Sequence, residues 1–198
     1  HSREERARLH KAFGYTYEDV KNTILPMAAT GAEPIAAMGV DTPLAALSGR
    51  RQSLFCYFKQ RFAQVTNPPL DAIREEVVTS TTVYIGDDGN LLEETAENCA
   101  VLSVSNPILT STDLMKIKAM KKPGFHVEVV GIVCYKNTPL RQALDRLFVQ
   151  VDRAYRNGAN IVILSDRGVD ENHMAIPSLL AVSALEQYLV RTKKRTAV

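Results

Sequence analysis

The strongest constraint on the fold is an uninterrupted aliphatic run at residues 161–164, Ile-Val-Ile-Leu. A run without polar alternation is typical of a strand buried on both faces, as in parallel sheets that helices cover. The run is followed by Ser-Asp-Arg-Gly at residues 165–168, and an apolar helical pattern begins near Pro177. The segment therefore predicts a strand, a loop and a helix, with the loop at the carboxyl end of the strand, where α/β proteins place their working residues.

A second unit of the same kind lies earlier in the chain. Residues 127–134, Val-Glu-Val-Val-Gly-Ile-Val-Cys, predict another buried strand. Residues 138–151 carry apolar side chains at the 3.6-residue period of a helix, which Asn157 and Gly158 close. Two strands joined through a helix favour a right-handed parallel crossover. We therefore expect an α/β fold, with a mostly parallel, open sheet flanked by helices.

The N-terminal part of the chain is richer in helical signals. Thr16 with Asp19 has the spacing of a helix N-cap, and Pro26 is expected to disturb the helix that follows. An apolar helix face is predicted farther on, and we expect it to pack in a core; it consists of Leu54, Phe55, Phe58 and Phe62. We expect one domain over residues 1–198, with a mainly helical half at 1–78 and an α/β half at 79–198.

Composition and charge exclude several classes of protein. A chain of 198 residues, 45% of them hydrophobic and 23% charged, is sufficient for one core. Its net charge of +2 is too small to indicate binding to nucleic acid or to an anionic membrane surface, and no apolar run is long enough to span a bilayer. Cys56, Cys99 and Cys134 follow no metal-binding spacing, so we predict buried, reduced thiols in a cytoplasmic protein.

The sequence contains no recognised catalytic or nucleotide-binding motif. Its histidines lie in unrelated contexts, so we predict no metal site and no catalytic residue. The most suggestive polar cluster follows the strand at 161–164 and consists of Asp166, Arg167, Asp170 and Glu171. Two interpretations stay open for it: an ion-paired loop that braces the strand end, or a catalytic group.

Several stretches together resemble one protein family. They are AFGYTYEDV, ILPMAATGAEPIAAMGVDTPLAALS, YFKQRFAQVTNPPLDAIREE, GNLLEETAENC, NPILT and ILSDRGVDE with IPSLLAVSA. In these residues the chain resembles the central domain of the large subunit of glutamate synthase, from Phe13 onward. Val40 departs from the family, which usually has a polar residue in this M-G-x-D-T-P motif.

The resemblance implies a non-catalytic domain within a longer chain. In that family the central domain connects a glutamine amidotransferase domain to an FMN-binding synthase domain that also holds an iron–sulfur cluster. Ammonia from glutamine passes through an internal tunnel to the FMN site, where 2-oxoglutarate is aminated and reduced to glutamate. The resemblance implies no cofactor in this segment itself. It also implies a fold similar to a partial copy of the neighbouring (β/α) barrel, which agrees with a sheet edge left unfinished at residues 191–198.

An ammonia tunnel needs walls that exclude water, made of small and apolar side chains with a few neutral hydrogen-bonding groups. From the resemblance we expect Ile35, Met38, Thr66 and Ser165 to line it. Equally, Ile35 and Met38 could be ordinary core residues, and Thr66 and Ser165 could cap local turns. A free-standing (β/α) flavin-binding enzyme fragment is the alternative function, but it would need a phosphate-binding turn that the sequence lacks. A pure interaction module cannot be separated from a connecting domain by sequence.

Overall fold

The computed structural model describes residues 2–32, 34, 47–49, 52–58, 69 and 71–198. The chain divides into two compact units, His1–Pro69 and Leu70–Val198. Each unit has its own architecture, and the proposed functional residues of the second unit are positioned by its strands.

The described part of the first unit is helical. Helix α1, Arg3–Phe13, begins at a capping box in which Ser2 and Glu5 exchange hydrogen bonds. Helix α2, Tyr17–Asp19, begins at a second capping box between Thr16 and Asp19, which confirms the predicted N-cap. It continues through a π-helical segment, Val20–Ile24, into α3, Leu25–Thr30. Pro26 lies just beyond the π-helical segment. A proline has no N–H to donate, so regular α-helical hydrogen bonding is interrupted there.

The predicted core-packing face of phenylalanines is not found in the described residues. Residues 54–57 form a short 3₁₀ helix, Leu54–Tyr57, instead of a longer α-helix. Phe55 is 49% exposed and Phe58 is 69% exposed, so neither packs in a core. Phe62 lies outside the described residues. The α-helical periodicity that suggested a buried face therefore does not apply to Leu54–Tyr57, which wind more tightly than an α-helix.

The second unit alternates strands and helices. Its helices are α4, α5, α6 and α7, at Ala72–Val78, Ser111–Lys118, Leu140–Arg156 and Ser178–Arg191. Its strands are β1, β2, β3, β4, β5 and β6, at Val83–Ile85, Leu102–Val104, Val127–Gly131, Val133–Tyr135, Ile161–Ser165 and His173–Ala175. A capping box between Thr110 and Asp113 starts α5. Local hydrogen-bonding chemistry thus defines this boundary as it does in the first unit.

The described strands pair in three two-stranded ladders. Strands β3 and β5 are parallel, with Val127 opposite Ile161 and Gly131 opposite Ser165. Strands β1 and β2 are antiparallel, and so are β4 and β6. The β3–α6–β5 arrangement confirms the predicted parallel crossover and the α/β class. The described residues do not show one mostly parallel sheet, however, because two of their three ladders are antiparallel.

The run at 127–134 was predicted as one strand, and this prediction was wrong. The structure breaks it at Ile132, between β3 and β4. The backbone N–H of Ile132 donates to the carbonyl of Ser165 at 2.8 Å, and its carbonyl accepts from the N–H of Ile176 at 2.8 Å. The chain therefore changes partners at this residue, from the end of β5 to the end of β6.

The core of the second unit lies where α6 and α7 pack with the strands. Its buried members are Val130, Ile132, Ala143, Leu147, Val151, Ile176, Ala181, Leu185 and Leu189. Leu147 and Val151 follow the predicted apolar stripe of α6, which confirms that helix and its periodicity.

The cysteine prediction was wrong in part. All three thiols are free, but Cys56 and Cys99 are exposed and only Cys134 is half-buried. Cys56 and Cys99 lie in the two short 3₁₀ segments, Leu54–Tyr57 and Glu97–Cys99, and the general preference of cysteine for the interior does not decide such positions. In the described part of the chain, no helix combines the length and the apolar character that crossing a bilayer requires.

Candidate functional site at the carboxyl end of β5

Ser165 is the last residue of β5, and its backbone is held by the neighbouring strand. It pairs with Gly131 in the parallel ladder, and its carbonyl accepts the N–H of Ile132 at 2.8 Å. Its hydroxyl oxygen accepts the backbone N–H of Arg167 at 3.4 Å, a long hydrogen bond. The residue is half-buried. Ser165 therefore presents a neutral hydroxyl at the strand end that was expected to carry function.

Two residues that flank the loop and β6 are bonded to one buried residue, Ile132. Ile132 binds Ser165, just before the loop, and Ile176, just after β6, both through backbone hydrogen bonds of 2.8 Å. Ile132 is only 2% exposed. Because water cannot compete for the backbone groups of Ile132, the bonds to Ser165 and Ile176 anchor this segment in the core.

Asp170 organises the interior of this loop. One carboxylate oxygen, Oδ1, accepts the backbone N–H groups of Asn172 and His173, each at 2.8 Å. The same oxygen lies 2.8 Å from His173 Nδ1, and Oδ2 lies 3.0 Å from it. The Asp170 carboxylate therefore braces the return of the loop, where β6 begins at His173.

Electrostatics keep the Asp170 carboxylate ionised. The backbone N–H of Asn172, followed by the His173 side chain, lowers the pKa of Asp170 below its usual value, and these bonds outweigh desolvation. An ionised carboxylate can only accept a hydrogen bond, so Nδ1 of His173 is the donor in this contact. The arrangement is suited to holding a loop, because every short contact of the carboxylate is made to the loop itself.

The loop is also attached to β4. The backbone N–H of Lys136 donates to the carbonyl of Asn172 at 2.8 Å, and the Lys136 ammonium lies 3.4 Å from the carbonyl of Glu171. The Tyr135 ring meets the His173 ring edge to face, with centroids 6.1 Å apart. These contacts join the return of the loop to the antiparallel β4–β6 ladder.

The structure places one of the four predicted tunnel-lining residues. Ser165 lies at the end of β5, whereas Ile35, Met38 and Thr66 lie outside the described residues. The residues described include no group of three or more metal-binding side chains suited to a metal ion. The His126 Nε2 atom lies 3.5 Å from a carboxylate oxygen of Glu128.

A second polar cluster joins α6, α7 and the C-terminal segment. Asp152 accepts the Tyr188 hydroxyl at 2.7 Å and the Lys194 ammonium at 2.6 Å. The Lys194 ammonium also lies over the rings of Tyr155 and Tyr188, 5.7 and 5.5 Å from their centroids. Sequence reasoning missed this cluster, since 36 and 42 residues separate Asp152 from its two hydrogen-bond donors. No local pattern signals contacts over such separations.

Comparison with known sequences identifies the family. The sequence model described as "Glutamate synthase central domain" matches residues 8–198. The chain is 43% identical over 188 residues to "Glutamate synthase [NADPH] large chain" of Bacillus subtilis, with 95% of this chain and 12% of that protein covered. It is 42% identical over 188 residues to "Ferredoxin-dependent glutamate synthase 2" of Synechocystis, with 93% of this chain and 12% of that protein covered.

A eukaryotic relative, "Glutamate synthase [NADH]" of Schizosaccharomyces pombe, is 38% identical over 192 residues, with 94% of this chain and 9% of that protein covered. The chain thus spans about an eighth or less of the length of these relatives. The matches confirm the resemblance found in the sequence. This chain belongs to the glutamate synthase central domain family.

Proposed function

We propose that this segment is the non-catalytic central domain of a glutamate synthase large chain, acting in glutamate biosynthesis from glutamine and 2-oxoglutarate. It connects the glutamine amidotransferase domain to the FMN-binding synthase domain and helps to wall the ammonia tunnel between them. The observation that carries the proposal is the family match, which extends over residues 8–198. The relatives' greater length, of which this chain spans 12% or less, supports neighbouring domains in the same chain.

The partners and cofactors follow from this proposal. The partners are the amidotransferase and synthase domains, and the FMN and iron–sulfur cluster belong to the latter. A partial (β/α) barrel is part of the proposal, supported by the parallel β3–α6–β5 unit. A cytoplasmic location is also part of the proposal, and the three free cysteines support it.

Of the four proposed tunnel residues, Ser165 lies within the part of the chain that the structure describes. Ammonia must cross without being protonated, so a neutral hydroxyl suits the wall better than an acidic group. Ser165 supplies such a hydroxyl in a half-buried position, and its backbone position is fixed by the pairing with Gly131 and Ile132. In the same proposal Ile35 and Met38 supply apolar wall and Thr66 supplies a second hydroxyl.

The test is a stoichiometry in the full-length glutamate synthase that contains this segment. Coupled turnover yields two glutamates per glutamine, one from hydrolysis and one from reductive amination of 2-oxoglutarate, and releases no ammonia. Ser165→Leu should obstruct the passage, so that ammonia release per glutamine rises towards one while glutamine hydrolysis continues. The matched control is Ser103→Leu, at an exposed serine in β2.

Two results would contradict the proposal. Equal ammonia release in Ser165→Leu and Ser103→Leu would remove Ser165 from the tunnel. Flavin absorbance in the purified 198-residue chain would favour the alternative function, a flavin-binding enzyme fragment, whereas a colourless protein supports a connecting domain.

A further inference from the structure

The loop between β5 and β6 is held at two levels. The segment that contains this loop and β6 is fixed at both ends by the buried backbone of Ile132, which bonds to Ser165 and Ile176. Its interior is held separately, by the carboxylate of Asp170. Removing the carboxylate should therefore free the interior and leave the anchored ends in place.

The first residues of the loop contact Ser165. The Ser165 hydroxyl takes its backbone hydrogen bond from Arg167, the second residue of the loop, at 3.4 Å. A bond this long is weak and responds to small shifts of its donor. Two backbone contacts hold the return of the loop. The N–H of Asp170 donates to the carbonyl of His173 at 3.1 Å, and the N–H of Lys136 donates to the carbonyl of Asn172 at 2.8 Å.

We propose that Asp170 is a positioning residue, which holds the loop after β5 in one path and thereby sets the orientation of the Ser165 hydroxyl in the ammonia passage. The inference rests on the proposed function, because it assigns a role to a residue that supports the wall. Asp170 acts through the loop and makes no contact with ammonia. His173 contributes by donating its Nδ1 proton to the carboxylate.

Asparagine and alanine at position 170 separate this role from a simple surface charge. The side-chain oxygen of Asn can still accept the N–H groups of residues 172 and 173, as in an Asx turn, whereas alanine cannot accept either. Asp170→Asn should therefore retain most of the loop order, and Asp170→Ala should lose it. The matched control is Asp113→Ala, which removes a carboxylate that also accepts local hydrogen bonds, but on α5.

The experiment combines two measurements on the full-length glutamate synthase that contains this segment. Hydrogen exchange should become about tenfold faster at the amides of residues 172 and 173 in Asp170→Ala, since the loss of bonds to a charged acceptor opens the loop. Ammonia released per glutamine should rise from near zero towards one in the same variant, with glutamine hydrolysis unchanged. Asp170→Asn and Asp113→Ala should each resemble the unmodified enzyme in both measurements.

The outcomes distinguish this inference from the proposed function. If Ser165→Leu releases ammonia but Asp170→Ala does not, despite faster exchange, the positioning role is refuted and the tunnel role stands. If exchange at residues 172 and 173 is unchanged in Asp170→Ala, the carboxylate does not hold the loop and the inference fails. If Ser165→Leu leaves the stoichiometry unchanged, Ser165 does not line the tunnel, and the role of Asp170 fails with it.

Discussion

Replacing Tyr188 with phenylalanine should lower the free energy of unfolding of the second, C-terminal unit, Leu70–Val198, by about 1–2 kcal/mol. The change removes only the hydroxyl that donates to Asp152 at 2.7 Å. The ring stays stacked on Phe148, with centroids 4.4 Å apart and planes within 1° of parallel. No cavity forms, so the loss reports on the hydrogen bond.

The magnitude follows from the partial burial of the acceptor. Hydrogen bonds to charged groups contribute about 1.5–3 kcal/mol, but the Asp152 side chain is 19% exposed, so water replaces part of the loss. Lys194→Met removes the second donor, 2.6 Å away, and keeps most of the aliphatic volume. Because both donors contact one carboxylate, the double variant should deviate from additivity by about 0.5–1.5 kcal/mol.

The pH dependence has a defined sign. Burial alone would raise the pKa of Asp152, but hydrogen bonds from Lys194 and Tyr188 and the charge of Lys194 outweigh it and lower the pKa. A group with a lowered folded pKa stabilises fully above its unfolded pKa, about 3.9, and loses that contribution as pH falls through the folded value. The stability difference between the unmodified chain and Asp152→Asn should therefore be constant from about pH 8 to 5 and shrink below about pH 4.

Urea unfolding of the 198-residue chain measures these differences, with hydrogen exchange at the most protected amides of α6 and α7 reporting on the C-terminal unit alone. Asp145→Asn is the control, since Asp145 is an exposed residue of the same helix. A loss in Tyr188→Phe no larger than in this control would refute the reasoning. So would a difference for Asp152→Asn that grows as the pH falls below 4.

Two further predictions concern backbone conformation. Lys193 has a φ of 59°, which glycine adopts without steric cost, so Lys193→Gly should stabilise the chain by about 0.5–1 kcal/mol in urea unfolding, and a loss of stability would show that the lysine side chain matters more. Gly89 has a φ of 61°, and an added Cβ would collide with Oδ1 of Asn98. Gly89→Ala should therefore cost at least about 1–2 kcal/mol in the same assay, whereas a neutral result would mean that the loop adjusts freely.

Short-range chemistry made parts of the fold predictable. The N-cap at Thr16 was identified correctly because its partner, Asp19, is three residues away. The apolar stripe of α6 was predictable for the same reason, since its period is visible in one segment.

Long-range pairing was not predictable in the same way. The break at Ile132 was missed because a continuous apolar run looks the same whether a strand keeps its partner or changes it. The site was predicted only as a location, the carboxyl end of β5 at Ser165. The roles of Asp170 and His173 depend on hydrogen bonds to the backbone, which the mere presence of charged residues does not specify.

Ile132 also limits where the length of this domain can change during evolution. An extra residue between Ser165 and Asp170 would enlarge a surface loop and leave the bonds of Ser165 and Ile176 to Ile132 in place. An extra residue beside Ile132 would move either β3 or β4 out of register and turn its inward side chains outward. Insertions among homologous domains should therefore be tolerated between Ser165 and Asp170. They should be excluded beside Ile132, where the β3–β5 and β4–β6 ladders meet.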